Sequence, residues 1–124
     1  ILAQLRLIED YAETMEMPAL QCDVFIARAK LLLGYGESTL AGSLLARSMA
    51  LAKRNGMNLR LNSAMTAYAM VLAMRGLRDQ ANQLLFACLD TAKRNKNQIE
   101  IARVEAAFDG LHQVASATVR STIR

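Results

Sequence analysis

Ala41 to Asn55 returns forty residues later as Ala81 to Asn95, with seven of fifteen residues unchanged. The identities are Ala41/Ala81, Leu44/Leu84, Leu45/Leu85 and the run Ala52-Lys53-Arg54-Asn55 against Ala92-Lys93-Arg94-Asn95. The same offset pairs Ala27 with Ala67, Ala29 with Ala69, Leu32 with Leu72 and Gly36 with Gly76. Self-similarity at a fixed period of this size marks stacked supersecondary units. Each such unit presents an apolar face that only a neighbouring unit covers. Repetition of this kind fixes an architecture and leaves the chemistry open.

The units are expected to be helical. Alanine, leucine and methionine dominate, tryptophan is absent and Pro18 is the single proline, a mixture that favours helix over strand. At 124 residues and 53% hydrophobic, the chain has material for one domain with a buried core. It opens on Ile1 already inside an apolar periodic pattern, which reads as a segment of a longer protein. No apolar run approaches the roughly 18 to 20 residues that span a bilayer.

The spacing predicts a single helix over 1–16, with Ile1, Leu5, Ile8, Ala12 and Met15 on one face and Glu9, Asp10, Glu13 and Glu16 opposite. Pro18 opens the next helix, whose apolar residues crowd more than one face as far as Leu33. Gly34-Tyr35-Gly36 ends it. A helix capped by Ser38 or Thr39 follows and closes on Lys53, Arg54 and Asn55-Gly56. A third arm runs from Met57 or Asn58 to Arg75. The next, with Asp79 in its first turn, closes on Lys93, Arg94 and Asn95. A last helix covers 98–120, with Ile99, Ile101, Val104, Phe108, Leu111, Val114 and Val119 as its apolar residues. Gly110 is a weak point within it, and the tail after Arg120 is expected to fray. The chain is thus one helical-repeat domain over 1–124: an orphan helix 1–16, hairpins 18–56 and 57–96, and a trailing helix 98–120. Connections of two to four residues make neighbouring helices antiparallel.

In this register the pattern resembles the tetratricopeptide repeat. The bulky, small and bulky positions of that repeat's first helix fall on Phe25, Ala29 and Leu32, then on Met65, Ala69 and Leu72. Those of its second helix fall on Ala41, Leu45 and Ser48, then on Ala81, Leu85 and Cys88. The resemblance implies an all-α, right-handed superhelix of about six antiparallel helices. The departures are a longer period than the usual one near 34, Arg28 where a leucine is expected, and Lys53 or Lys93 where a proline is expected. Forty-residue units with stretches such as Ser48-Met-Ala-Leu-Ala-Lys and Gly76-Leu-Arg-Asp-Gln-Ala resemble the C-terminal repeats of subunit 5 of the anaphase-promoting complex. They are also similar to repeats of the cohesin-loader subunit and of bacterial regulators with a sensor solenoid. The first resemblance implies a structural subunit of a ubiquitin ligase acting in the cell cycle. The others imply an adaptor, or a ligand- or peptide-sensing solenoid of a transcriptional regulator.

Catalytic constellations are not evident. His112 is the one histidine, and neither Cys-x-x-Cys nor His-Glu-x-x-His occurs. No glycine-rich phosphate loop follows a strand, so we expect no enzyme, no metal and no cofactor. Cys22 and Cys88 sit far apart in apolar stretches and read as buried, reduced thiols of an intracellular protein, cytosolic or nuclear. The formal charge of +4 is only a mild basic lean. Lys53, Arg54, Lys93, Arg94 and Lys96 form a candidate basic edge for phosphate or an acidic partner. No aromatics interleave with them, and positive side chains at helix C-termini also offset the helix dipole. Nucleic acid and membrane are therefore not the expected partners.

The first helix of each tetratricopeptide pair lines the concave side of the superhelix. By register that side carries Ile26, Lys30 and Leu33, then Thr66, Met70 and Met74, then Arg103 and Ala106. This strip is mostly apolar with a basic residue towards each end, which suits an amphipathic helix or extended peptide with acidic flanks, or another protein subunit. The competing reading is that these residues pack on one another as core.

Overall fold

The computed structural model describes the backbone of residues 1–123 and the side chains of residues 1–111. The chain folds into six α-helices: α1 (Leu2–Thr14), α2 (Pro18–Gly34), α3 (Ser38–Arg54), α4 (Asn58–Met74), α5 (Arg78–Arg94) and α6 (Gln98–Ile123). Helices α2 to α5 are each 17 residues long. From α2 onward, the helices begin at Pro18, Ser38, Asn58, Arg78 and Gln98, at a constant interval. No described helix is long and apolar enough to cross a membrane.

The turns explain the regularity. Each of the first five helices ends in one left-handed residue: Glu16, Gly36, Gly56, Gly76 and Lys96. The following N–H then bonds back to the carbonyl five residues earlier. These bonds are Met17 to Ala12, Glu37 to Leu32, Met57 to Ala52, Leu77 to Leu72 and Asn97 to Ala92, at 2.8–3.1 Å. The left-handed residue itself donates three residues back, for example Gly36 to Leu33 at 3.0 Å. This paired pattern is the Schellman closure, which satisfies the last carbonyls of a helix.

In the α1–α2 to α4–α5 turns, the residue after the left-handed one is also the N-cap of the next helix: Met17, Glu37, Met57 and Leu77. That double duty displaces the expected cap at Ser38 or Thr39. Glu37 holds the position, Ser38 becomes the first helical residue, and no side chain caps α3. At α6 the Asn97 side chain does cap, its Oδ1 accepting from the Glu100 N–H at 3.1 Å.

Successive helices pack on one another, and α2, α4 and α6 also touch in a row. Among the described residues α1, α3 and α5 make no such contacts with each other. One core lies between α2, α3 and α4 around Phe25, Ala29, Ala41, Leu45 and Val71. A second joins α4, α5 and α6 around Ala69, Ala81, Leu85 and Val104. Helix α4 feeds both, hence its apolar residues on every side. Ala29, Ala69, Ala41 and Ala81 are fully buried, as are Leu45, Leu85, Ser48 and Cys88. Small residues at the crossings let the helix backbones approach, and the leucines fill what remains.

Polar contacts recur at a fixed spacing. Ser48 donates to the Cys22 carbonyl at 3.3 Å, and the Asn62 side chain donates to the Cys88 carbonyl at 3.2 Å. Both thiols are free and buried, as expected. Arg28, the residue standing where a leucine is expected, is half-buried and ion-paired with Glu9, tying α1 to α2.

The apolar face of the first helix is largely open: Ile1, Ile8 and Met15 are exposed, and Ala12 alone is buried. That follows from α1 touching only α2. Ile99 is 74% exposed whereas Glu100 is buried, so the inward face of α6 begins one residue later than its apolar pattern suggests. Helix α6 also runs unbroken past Gly110 and Arg120 to Ile123. The side chains of His112, Val114 and Val119 lie outside the described residues.

Candidate functional site

The row formed by α2, α4 and α6 carries a hollow of about 300 Å³. Six of the eight residues assigned by register to one face line it: Lys30 and Leu33 from α2, Thr66 and Met70 from α4, and Arg103 and Ala106 from α6. Ser63, Ala67, Ala107 and Gly110 complete the lining. The space exists because these positions are small. A Cβ on Gly110 would meet the Met70 methyl at 3.7 Å, and the alanines project no further.

The other two residues do not belong to it. Ile26 is 7% exposed and locked into the first core, because α2 and α4 touch and close over side chains directed at one another. Its assignment to an accessible face is therefore wrong. Met74 is exposed at the last residue of α4 and does not line the hollow.

Glu100 is only 2% exposed. Its carboxylate accepts from the Asn62 side chain at 3.3 Å and pairs with Arg103 one turn on. Arg103 also reaches the Ser63 hydroxyl across α4, at 3.4 Å. Thr66 turns its hydroxyl away to the Asn62 carbonyl at 2.9 Å, which leaves its methyl group for the hollow. Lys30 makes no ion pair among the described residues. Burial pushes its pKa down, the nearby Arg103 adds to this, and Glu100 opposes it. Glu100 thus bonds one of the two cations, Arg103, and not Lys30. The sequence alone gave no sign of Asn62 and Glu100; the Asn97-x-x-Glu100 cap pattern could have placed Glu100 in the first turn but not indoors.

The basic edge is dispersed. Lys53, Arg54, Lys93, Arg94 and Lys96 are all exposed, at or just beyond the ends of α3 and α5, which do not touch. Arg94 pairs with Asp90 of its own helix at 3.2 Å. Lys53 borders a second, wider hollow of about 770 Å³ where α3 and α5 stand apart over Leu61, Met65, Tyr68 and Leu72 of α4. Sequence reasoning did not find this trough, because it depends on a gap between helices and not on any residue pattern. Among the described residues no three potential ligands gather to hold a metal ion. No family model, curated protein or solved structure matches the chain.

Proposed function

We propose that this chain is a protein–protein interaction scaffold with no reaction of its own, its hairpins stacked at a forty-residue period into a right-handed, tetratricopeptide-like superhelix. The observation that carries this reading is the convergence of Lys30, Leu33, Thr66, Met70, Arg103 and Ala106 on one hollow. Residues assigned to a shared face by repeat register alone, from three separate helices, line a single cavity. An apolar floor bordered by Lys30 and Arg103 suits an acidic, partly apolar segment of another subunit. The resemblance to the anaphase-promoting complex subunit makes a ubiquitin ligase in dividing cells our first choice of assembly; a cohesin-loader-type adaptor is the alternative.

Selection from a displayed peptide library tests the reading directly. Wild-type chain should enrich sequences pairing acidic with aliphatic residues, and Met70→Glu should lose them. Binding through the apolar floor should persist in half-molar salt, whereas phosphate-type binding to the basic edge falls steeply with salt. Failure to enrich any motif, or enrichment indifferent to Met70→Glu, would remove this face as the partner surface.

A second reading, the sensing solenoid of a regulator, is favoured by one feature: at about 300 Å³ the hollow has the size of a small-ligand site.

A further inference from the structure

The side of the molecule formed by α1, α3 and α5 repeats its gaps but not what fills them. Between α1 and α3 the chain's own charges span the space over α2. Arg28 pairs there with Glu9, and the Arg47 guanidinium lies over the Phe25 ring at 4.6 Å. Forty residues on, the same positions hold Tyr68, Met49, Ala87 and Met65, and all four line the trough between α3 and α5. Leu61, Met65 and Ala87 also line a neighbouring hollow that runs on to Asn58 and Arg94, so the two are continuous. Together they follow α4 from Asn58 to Leu72, about 21 Å along its axis. Lys53, in the last turn of α3, and Arg94, beside Asn58, make the Asn58 end of this trough basic.

We infer that this trough receives helix α1 of a second copy of the chain, in a two-fold dimer where each copy lays its α1 on the other. Charge complementarity selects that occupant. Residues 1–17 carry four acids and one base, whereas residues 38–97, which supply the walls and floor of the trough, carry nine bases and two acids. Opposite charges of this kind steer two surfaces together and set their register. Helix α1 touches only α2, and its outer side bears an apolar stripe. Leu7 is 70% exposed, and Tyr11 and Met15 are each 56% exposed, at the four-residue spacing of one helix face. Asp10 is exposed beside Leu7 and Tyr11. The 13 residues of α1 make about 20 Å, the length of the floor. Its last turn holds Glu13 and no base, which gives it a negative end for Lys53 and Arg94 to meet. Because α1, α3 and α5 share one side, a two-fold axis facing that side forms both contacts at once. This face is separate from the hollow between α2, α4 and α6, so the dimer and the scaffold reading can each fail alone.

Sedimentation velocity of the full chain, from low to several hundred micromolar, tests this. The chain should pass from monomer to dimer, with a midpoint about tenfold higher in half-molar salt than in dilute buffer. Leu7→Glu should weaken the dimer about tenfold. Ala87→Arg should do the same, because it supplies the guanidinium that Arg47 gives the first gap. Asp10→Lys and Lys53→Glu should each weaken association, and the two combined should restore it to within about threefold of wild type. All four positions are exposed in the single chain, so lost association is not lost fold; circular dichroism verifies this. A chain monomeric at every concentration would overturn the inference and leave the trough to an acidic helix of a different protein. So would a dimer indifferent to Leu7→Glu and Ala87→Arg, a dimer broken instead by Met70→Glu, or a charge-swapped double variant no better than either single one.

Discussion

Glu16 and Lys96 occupy positions that glycine fills in the three turns between them, and replacing them measures what that substitution costs. Their φ angles are 51° and 53°, in the left-handed region. An L-residue there loses about 1–2 kcal/mol, and glycine returns about 0.4–1 kcal/mol of that through the freedom it adds to the unfolded chain. The backbone gain of a glycine is therefore about 0.5–1 kcal/mol at either site. The charges then separate the two. Glu16 is negative just past the C-terminus of α1, where the dipole disfavours it by about 0.3–1 kcal/mol, whereas Lys96 is positive past α5 and favoured by as much.

Glu16→Gly should gain about 1–2 kcal/mol, and Lys96→Gly should come out near zero because its two contributions offset. For a chain of this length about 1 kcal/mol moves Tm by roughly 4 °C. Glu16→Ala, which keeps the strain and removes the charge, should gain only the smaller, salt-sensitive part. High salt should then raise Lys96→Gly relative to wild type and trim the advantage of Glu16→Gly. Thermal melts by circular dichroism read the whole. Hydrogen exchange at the Met17 amide, bonded to Ala12 at 2.8 Å, reads the α1 turn alone in case α1 frays first. In the opposite direction Gly76→Ala should lose about 1 kcal/mol without a clash, since a Cβ there meets nothing within 4 Å. No gain at Glu16 together with no loss at Gly76 would refute the account of the turns.

Replacing the fully buried Ala69 or Ala81 with leucine should overpack the helix crossings and cost about 1–3 kcal/mol, seen as a lowered urea midpoint. Glu100→Ala strands the Asn62 amide and Arg103 and should cost about 2–3 kcal/mol, with Glu100→Gln losing less because it keeps an acceptor. Burial raises the pKa of both thiols, opposed at Cys22 by the Ser48 hydroxyl 2.8 Å from its Sγ. Above the ordinary thiol value of about 8.5 the unfolded chain then loses protons that the folded chain keeps, so this contribution to stability falls as pH rises. Cys22→Ala/Cys88→Ala should flatten that slope relative to wild type. Both thiols should also resist iodoacetamide in native buffer and react in urea.

The helices were legible because the pattern repeats: Gly36, Gly56 and Gly76 punctuate it, and Ala41, Leu45 and their partners mark the crossings. Glu16 and Lys96 escaped notice because nothing in a glutamate or lysine advertises left-handed backbone; only the half-period offset from the glycines points to them. The open face of α1 shows that an apolar stripe signals a wish for cover, not the presence of it. Most of the hollow followed from register, since every helix in the row presents the same face. Ile26 falls outside it, because the approach of α2 to α4 seals it, a distance no spacing encodes. Glu100 went unseen since a carboxylate indoors needs Asn62 and Arg103, which lie 38 residues before it and one turn after it.

Helices α2, α4 and α6 touch along one side while α1, α3 and α5 stand apart on the other, and this makes the chain mechanically lopsided. Bending that spreads the separated helices further breaks no packing between them, whereas spreading the touching ones tears open buried surface. The molecule should behave as a leaf spring with one stiff edge, yielding readily in a single direction and holding the spacing of Lys30 and Arg103 nearly constant as it flexes.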